Sequence, residues 1–90
     1  MTIGKLIWDV WNINHIARHN VIPEEVEEVC DSREVYISKS RNHSFRIIGQ
    51  TLAGRYLLII LGYRDSNSNS YYVLTARDAT KSERRLYKRK

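Results

Sequence analysis

One stretch of this chain is almost entirely apolar: Arg55-Tyr-Leu-Leu-Ile-Ile-Leu-Gly-Tyr63. A run of this length and composition is typical of a central strand that is buried on both faces of a sheet. The segment Leu52-Ala-Gly54 lies just before it and predicts a tight hairpin turn, since Gly54 can adopt a positive φ. Residues 44–51 alternate before this turn and predict the partner strand. Because the connection is so short, the two strands are expected to be antiparallel.

Three further segments predict strands around this hairpin. Residues 34–38 and 70–77 follow the two-residue period of a strand, and residues 5–10 are rich in β-forming side chains. The segment 65–70, between the apolar strand 55–63 and the strand 70–77, is polar throughout and predicts a loop. Short connections along residues 34–77 favour an antiparallel meander.

Two helices are predicted between the first strand and the meander. In the first, Ile13, Ile16 and Ala17 recur at helical spacing and are expected to face the core, while His15, Arg18 and His19 lie on the opposite, polar side. Pro23 suits the first turn of the second helix, where Glu24 and Glu25 lie favourably against the helix dipole. The predicted buried stripe of this second helix consists of Ile22, Val26, Val29 and Cys30. Trp8 and Trp11 are expected to pack against these helices rather than to stack on bases.

A last helix is predicted at the C-terminus. The sequence Thr80-Lys-Ser-Glu83 has the capping-box pattern, which starts a helix that continues to about Lys88. The predicted order is therefore β-α-α-β-β-β-β-α, within one domain spanning residues 1–90. The fold class is α+β, with a helix pair before an antiparallel sheet and a helix after it.

Composition narrows the class of protein. The chain has 90 residues and a single cysteine, Cys30, which excludes an internal disulfide and a cysteine-based zinc framework. The longest apolar run is too short to span a bilayer, and no secretory signal is visible near the N-terminus. We therefore expect a cytoplasmic protein without a membrane partner.

The net charge of +5 comes from the last ten residues. Residues 81–90 contain six basic residues and one acidic residue, whereas residues 1–80 contain nine of each. On a helical wheel, four cations form one stripe, and Glu83, Leu86 and Tyr87 lie on the opposite, docking side. The four cations are Lys81, Arg84, Arg85 and Lys88. Such a stripe is either a solvated face or a surface that binds phosphates, as in RNA.

Two arginines within strands are candidates for anion binding. By strand alternation Arg46 shares a face with Ser44 and Ile48, and Arg77 is assigned to the face of Tyr71, Val73 and Thr75. A half-buried arginine requires an acidic partner or a bound anion, and Glu83 is a plausible partner for Arg77. Fixed cations of this kind stabilise the charged transition state of phosphodiester cleavage. Arg55, beside the glycine turn, is expected to be exposed.

His15 and His19 are four residues apart on one helix. This spacing could chelate a metal, but no motif supplies a third ligand, so we expect none. Surface histidines beside Arg18 are one interpretation, and proton transfer near neutral pH is another. Cys30 is interpreted as a core residue, because no neighbour that would stabilise a thiolate is evident.

Three segments carry motifs that go beyond composition. The first is Asn12…His15…Arg18-His19-Asn20-Val21, followed by Glu24-Glu25-Val26…Val29; the second is Arg46-Ile-Ile-Gly49 with Gly54-Arg55. The third and most specific is Thr75-Ala-Arg77-Asp-Ala79-Thr80-Lys-Ser-Glu83-Arg84-Arg85-Leu-Tyr87. Together they resemble the BrnT family, the ribonuclease toxins of type II toxin–antitoxin systems with a RelE-like fold. Asn20 stands where the family usually has glycine, and Arg18 where lysine is common.

This resemblance implies metal-independent endonucleolytic cleavage of RNA through its 2′-hydroxyl, without a cofactor. Arg46 and Arg77 would stabilise the phosphate, and His19 or Tyr87 would transfer protons. It also implies a cognate antitoxin of the BrnA type. Two alternatives remain open: a non-catalytic RNA-binding or ribosome-associated module, and a protein-interaction domain that uses the cationic helix. Self-association through the acidic helix 24–31 also remains open.

Overall fold

The computed structural model describes residues 3–65 and 68–89. The described helices and strands follow in the order that the sequence predicts, which confirms the α+β class and the order β-α-α-β-β-β-β-α. They are β1 (Lys5–Ile7), α1 (Val10–Ala17), α2 (Pro23–Asp31), β2 (Tyr36–Lys39), β3 (Ser44–Gln50), β4 (Tyr56–Asp65), β5 (Ser70–Asp78) and α3 (Lys81–Arg89). Residues 66 and 67 of the predicted polar loop lie outside the described residues.

The five strands form one sheet in the order β1-β5-β4-β3-β2. Strands β2 to β5 form an antiparallel meander, and β1 pairs with β5 in parallel. The apolar strand β4 lies at the centre, as its composition predicts, and Leu57, Leu58 and Ile59 are buried. Gly54 has φ +94°, so the turn before β4 uses the conformation that favours glycine.

Helices α1 and α2 pack on one face of the sheet and close the main core. Ile16 of α1 and Val26 and Val29 of α2 join a buried cluster with Ile47 and Ile59 of the sheet. Gly49 permits α2 to approach closely, because a Cβ there would lie 2.7 Å from a methyl carbon of Val29.

Helix α3 packs on the opposite face. Its capping box is formed, since the Thr80 amide donates to Glu83 Oε1 (2.8 Å) and the Glu83 amide donates to Thr80 Oγ1 (3.2 Å). The helix contacts β3, where Ile48 is buried on the side away from the main core. The Tyr87 ring meets the Tyr56 ring edge-on at 5.8 Å between centroids. The C-terminal cations therefore belong to an anchored helix.

The N-terminal region departs from the sequence predictions. Strand β1 ends at Ile7, because Asp9 caps α1 by accepting a hydrogen bond from the Asn12 amide (2.9 Å). Helix α1 is only eight residues long and contacts mainly β5, so Asn12 and Ile16 are its buried residues. The expected burial was wrong for four positions: Trp11, Ile13, Ala17 and Ile22 are all exposed. Trp8 is half-buried and donates from Nε1 to Glu27 (2.8 Å).

None of the helices in the described part of the chain is long and apolar enough to cross a membrane.

Candidate functional site

A β-bulge in β5 decides which way Arg77 points. Thr75 pairs with Ile60 of β4, but the next residue of β4, Leu61, pairs with Val73, so β5 contains one extra residue. The bulge reverses the alternation, and Arg77 shares a face with Thr75 while Val73 faces the α1–α2 core. The predicted grouping of Arg77 with Tyr71 and Val73 was therefore wrong, because a two-residue period cannot reveal a bulge.

The same bulge brings Arg46 and Arg77 to one face. Arg46 pairs with Ile60, which pairs with Thr75, so these three residues form a row across β3, β4 and β5. Arg77 pairs with Leu58, two residues along β4 from Ile60, and therefore lies two rows away from Arg46. Two strand spacings and two residue steps place the Cα atoms of the two arginines ~12 Å apart. We call this surface, centred on Arg46, Thr75 and Arg77, the arginine face.

Arg46 has donors available for an anion. Its side chain is half-buried, and Nε donates to Ser38 Oγ at 3.2 Å. Among the described residues it forms no ion pair with a carboxylate. Because a planar guanidinium recognises phosphate through paired donors, Arg46 is suited to hold a phosphate on this face.

Arg77 is held in place by Glu83, the pairing expected from the sequence. Its two terminal nitrogens donate to the two carboxylate oxygens at 2.9 Å each, and Nη1 also donates to the Asp78 carbonyl (3.0 Å). The hydrogen bonds from Arg77 lower the pKa of Glu83, against the opposing effect of burial, and the Thr80 amide adds to the lowering. The same pair raises the pKa of Arg77. Arg77 therefore remains a fixed cation at the start of α3.

The histidines lie at the edge of the arginine face. The His15 Nε2 atom is 3.1 Å from Thr75 Oγ1, and the His15 and His19 rings are 5.9 Å apart. His15 is half-buried, contrary to the predicted polar side, because α1 packs against β5 and His15 contacts Thr75, beyond the three residues of β5 that pair with β1. His19 is exposed and contacts the His15 ring from the solvent side. No group of three potential ligands for a metal occurs among the described residues.

Tyr87 lies at the other end of this face. It contacts Tyr56, which is four residues along β4 from Ile60, the partner of Arg46. Four strand residues span ~13 Å, so Tyr87 is remote from the row of Arg46. Burial raises the pKa of the Tyr87 hydroxyl, with smaller contributions from Glu34 and Tyr56. Arg77 pairs with Leu58, two residues from Tyr56, so Tyr87 lies near Arg77, whereas Arg46 and His15 belong to the row of Ile60 and Thr75.

The four predicted cations of α3 line one shallow groove, which agrees with the stripe on the helical wheel. The groove is formed by Lys81, Arg84, Arg85 and Lys88. The charged groups of Arg84 and Lys88 each lie 5.8 Å from the centroid of the Tyr56 ring. Lys81 and Arg85 are exposed and form no ion pair with a described residue.

Arg55 was expected from the sequence to be exposed, but it is an ion-pairing residue that connects several elements. Its side chain is only 26% exposed and forms ion pairs with Asp78 (2.7 Å) and Glu25 (3.1 Å). It also donates to the backbone carbonyls of His19 (3.1 Å) and Asn20 (2.6 Å). These partners lie 23 to 36 residues away in sequence. No local pattern could have revealed them.

Cys30 is not a candidate nucleophile. Burial, with smaller contributions from the Glu27 and Asp31 carboxylates, raises the pKa of its thiol to about 12. A thiol with this pKa is protonated at neutral pH and unreactive.

The chain is similar to the crystal structure of the ribonuclease toxin BrnT from Brucella abortus, with a TM-score of 0.67. The two sequences are 18% identical, and the match covers 87% of this chain and 99% of the toxin chain. No protein-family model matches the sequence, and no curated protein matches it significantly. The chain thus has the BrnT fold, which confirms the fold resemblance that its motifs predicted.

Proposed function

We propose that this protein is a metal-independent endoribonuclease toxin of a type II toxin–antitoxin module. The observation that carries the proposal is the convergence of Arg46 and Arg77 on one sheet face, with His15 hydrogen-bonded at its edge. The similarity to a ribonuclease toxin supports it at the level of fold.

In the proposed reaction, the 2′-hydroxyl of the RNA attacks the adjacent phosphorus. A base accepts the hydroxyl proton, the bond from phosphorus to the 5′-oxygen breaks, and that oxygen is protonated as it leaves. The products are a 2′,3′-cyclic phosphate and a free 5′-hydroxyl. Arg46 and Arg77 stabilise the negative charge that grows on the phosphate oxygens during this step.

His15 is the best placed group for proton transfer. An imidazole can accept or donate a proton, and His15 contacts Thr75 in the same row as Arg46. His19, the candidate from the sequence, lies beside it and is the second choice. Tyr87 is the third candidate, because it lies beside Arg77 and away from the row of Arg46, and its raised pKa keeps the hydroxyl protonated at neutral pH.

The cations of α3 extend the proposed RNA surface beyond the arginine face. Lys81, Arg84, Arg85 and Lys88 would contact phosphates of nucleotides that flank the cleaved bond. A cognate antitoxin of the BrnA type would neutralise the toxin, and RNA as substrate implies action in the cytoplasm.

Cleavage assays with the purified chain test this proposal. We expect RNA cleavage that persists in EDTA, yields 2′,3′-cyclic phosphate ends, and fails on DNA or 2′-O-methyl RNA. Removal of one preorganised donor costs ~10²–10³ in rate, so Arg46→Ala should lose at least about 100-fold. Arg33→Ala is the matched control, because Arg33 is exposed and lines a separate surface cavity with Ile3 and Cys30, which pack against the core under α1 and α2.

Two outcomes would overturn the proposal. Wild-type protein that binds RNA but never cleaves it would select the non-catalytic RNA-binding alternative. Cleavage that Arg46→Ala and Arg77→Ala leave unchanged would reject the site.

A further inference from the structure

Trp11 is the most unusual side chain on the surface of α1. It is 81% exposed, and the neighbouring Val10 is 73% exposed. Helix α1 buries Asn12 and Ile16, so Trp11 projects away from the core. Tryptophan is highly buried on average, so an exposed indole is an informative observation. Its position requires an explanation other than core packing.

Trp11 belongs to a groove rather than to a flat surface. Trp11, Asn14, His15 and Arg18 recur at the i, i+3, i+4 and i+7 positions of one helix face. With Val10 they line a surface cavity of about 230 Å³. We call this the Trp11 groove. An indole, an amide and a guanidinium along one groove offer stacking, hydrogen bonding and a positive charge.

The Trp11 groove is continuous with the arginine face. His15 lines the groove and also contacts Thr75, which stands in the row of Arg46. Arg18 is exposed and forms no ion pair with any described residue, so the groove carries an uncompensated cation. Continuity and positive charge favour a polyanion over an apolar protein segment as its occupant.

We propose that Trp11 stacks on an unpaired base of the RNA, next to the phosphate that the arginine face holds. The Asn14 amide contacts the edge of that base, and Arg18 contacts a flanking phosphate. Aromatic stacking of this kind tolerates every base and targets single-stranded RNA, because paired bases do not expose their faces. The inference rests on the proposed function, since it names the substrate as single-stranded RNA.

Binding of a fluorescein-labelled, fully 2′-O-methylated single-stranded oligonucleotide tests the inference without any cleavage. Loss of a stacking partner weakens binding by about ten-fold, so Trp11→Ala should raise Kd by that factor. Trp11→Phe should recover most of the affinity. The slope of log K against log salt should not change in Trp11→Ala, whereas Arg18→Gln should lower its magnitude by about 0.7. Trp8→Phe is the matched control, because Trp8 lies against Glu27 and outside the groove.

The fluorescence of the protein supplies a second measurement. RNA should quench the indole emission of the Trp8→Phe protein and leave that of the Trp11→Phe protein nearly unchanged. Equal affinities of wild type and Trp11→Ala would overturn the inference even if the enzyme cleaves RNA. If Trp11→Ala binds the oligonucleotide with wild-type affinity but is no longer neutralised by a co-expressed antitoxin, the groove docks a protein and the inference is overturned. A wild type that binds through Trp11 but never cleaves would support the inference and reject the proposed catalysis.

Discussion

At the residue scale, three arginines in or next to the sheet have different surroundings. Arg46 bonds a serine hydroxyl and retains donors for an anion. Arg77 donates to both carboxylate oxygens of Glu83, which fixes the plane of the guanidinium while 37% of the side chain remains exposed. Arg55 bonds two carboxylates and two carbonyls and acts as a structural connector. The partners of each guanidinium, rather than its strand position, separate binding from structural roles.

Glu83→Gln tests the Arg77–Glu83 pair at this scale. Because glutamine retains a capping-box side chain, the variant removes the charge and leaves the helix start largely intact. We expect a loss of about 1 kcal/mol in the free energy of unfolding at pH 7, since Arg77 is partly exposed and the pair is screened.

The pH dependence of this loss has a definite sign. The pKa of Glu83 is lowered in the folded protein, so its stabilisation is present above the unfolded pKa and is lost as pH falls through the folded one. Urea unfolding should therefore show a difference between wild type and Glu83→Gln at pH 7 that shrinks as the pH falls below about 4. If wild type and Glu83→Gln differ in stability by the same amount at pH 7 and below about pH 4, the Arg77–Glu83 pairing is contradicted. Glu83→Ala, which also loses the cap, should be less stable than Glu83→Gln.

At the element scale, the site depends on how α1, β5 and α3 meet. The bulge in β5 turns Arg77 and Thr75 toward the face on which α3 packs, and His15 of α1 contacts β5 at Thr75, beyond the residues that pair with β1. The end of α1 is held by Arg55, which bonds the carbonyls of His19 and Asn20 and the carboxylates of α2 and β5. The position of the histidines is thus coupled to Arg55, the residue just before β4.

Arg55→Lys tests this connection. Lysine retains the charge but cannot reproduce the planar set of donors, so the bonds to His19, Asn20, Glu25 and Asp78 cannot all survive. We expect a loss of about 1–2 kcal/mol, which lowers Tm by at least about 4 °C in a domain of this size. Thermal unfolding measures the effect. Arg33→Lys, at an exposed arginine without an ion pair among described residues, should unfold at the wild-type Tm. An unchanged Tm for Arg55→Lys would show that the network is dispensable.

At the scale of the whole molecule, charge is distributed unevenly. The first 80 residues are neutral in sum, and the excess of +5 lies in residues 81–90. Because α3 is anchored beside the arginine face, this charge stands next to the proposed site. Long-range attraction of RNA and its local binding thus involve the same side of the molecule.

Two double variants with equal changes in net charge test whether the location of charge matters. Lys81→Gln with Arg85→Gln removes two exposed cations of α3, and Lys5→Gln with Arg33→Gln removes two exposed cations elsewhere. If α3 contacts phosphates, the first variant should lower the magnitude of the salt slope by about 1.4 for single strands, and the second should leave it near the wild-type value. Titrations at several salt concentrations measure both slopes. Equal effects would indicate that only net charge attracts RNA.

The sequence by itself determined the order of elements, the central strand, the glycine turn, the capping box and the cationic stripe. These features depend on residues within one turn of a helix or one strand, so periodicity and local hydrogen bonding encode them. Only the tertiary structure decided the face of Arg77, the burial of Arg55, the contact of His15 with Thr75 and the exposure of Trp11. Each of these depends on strand register or on partners far away in sequence. A single inserted residue in β5, or the way a short helix packs against that strand, leaves no periodic signal.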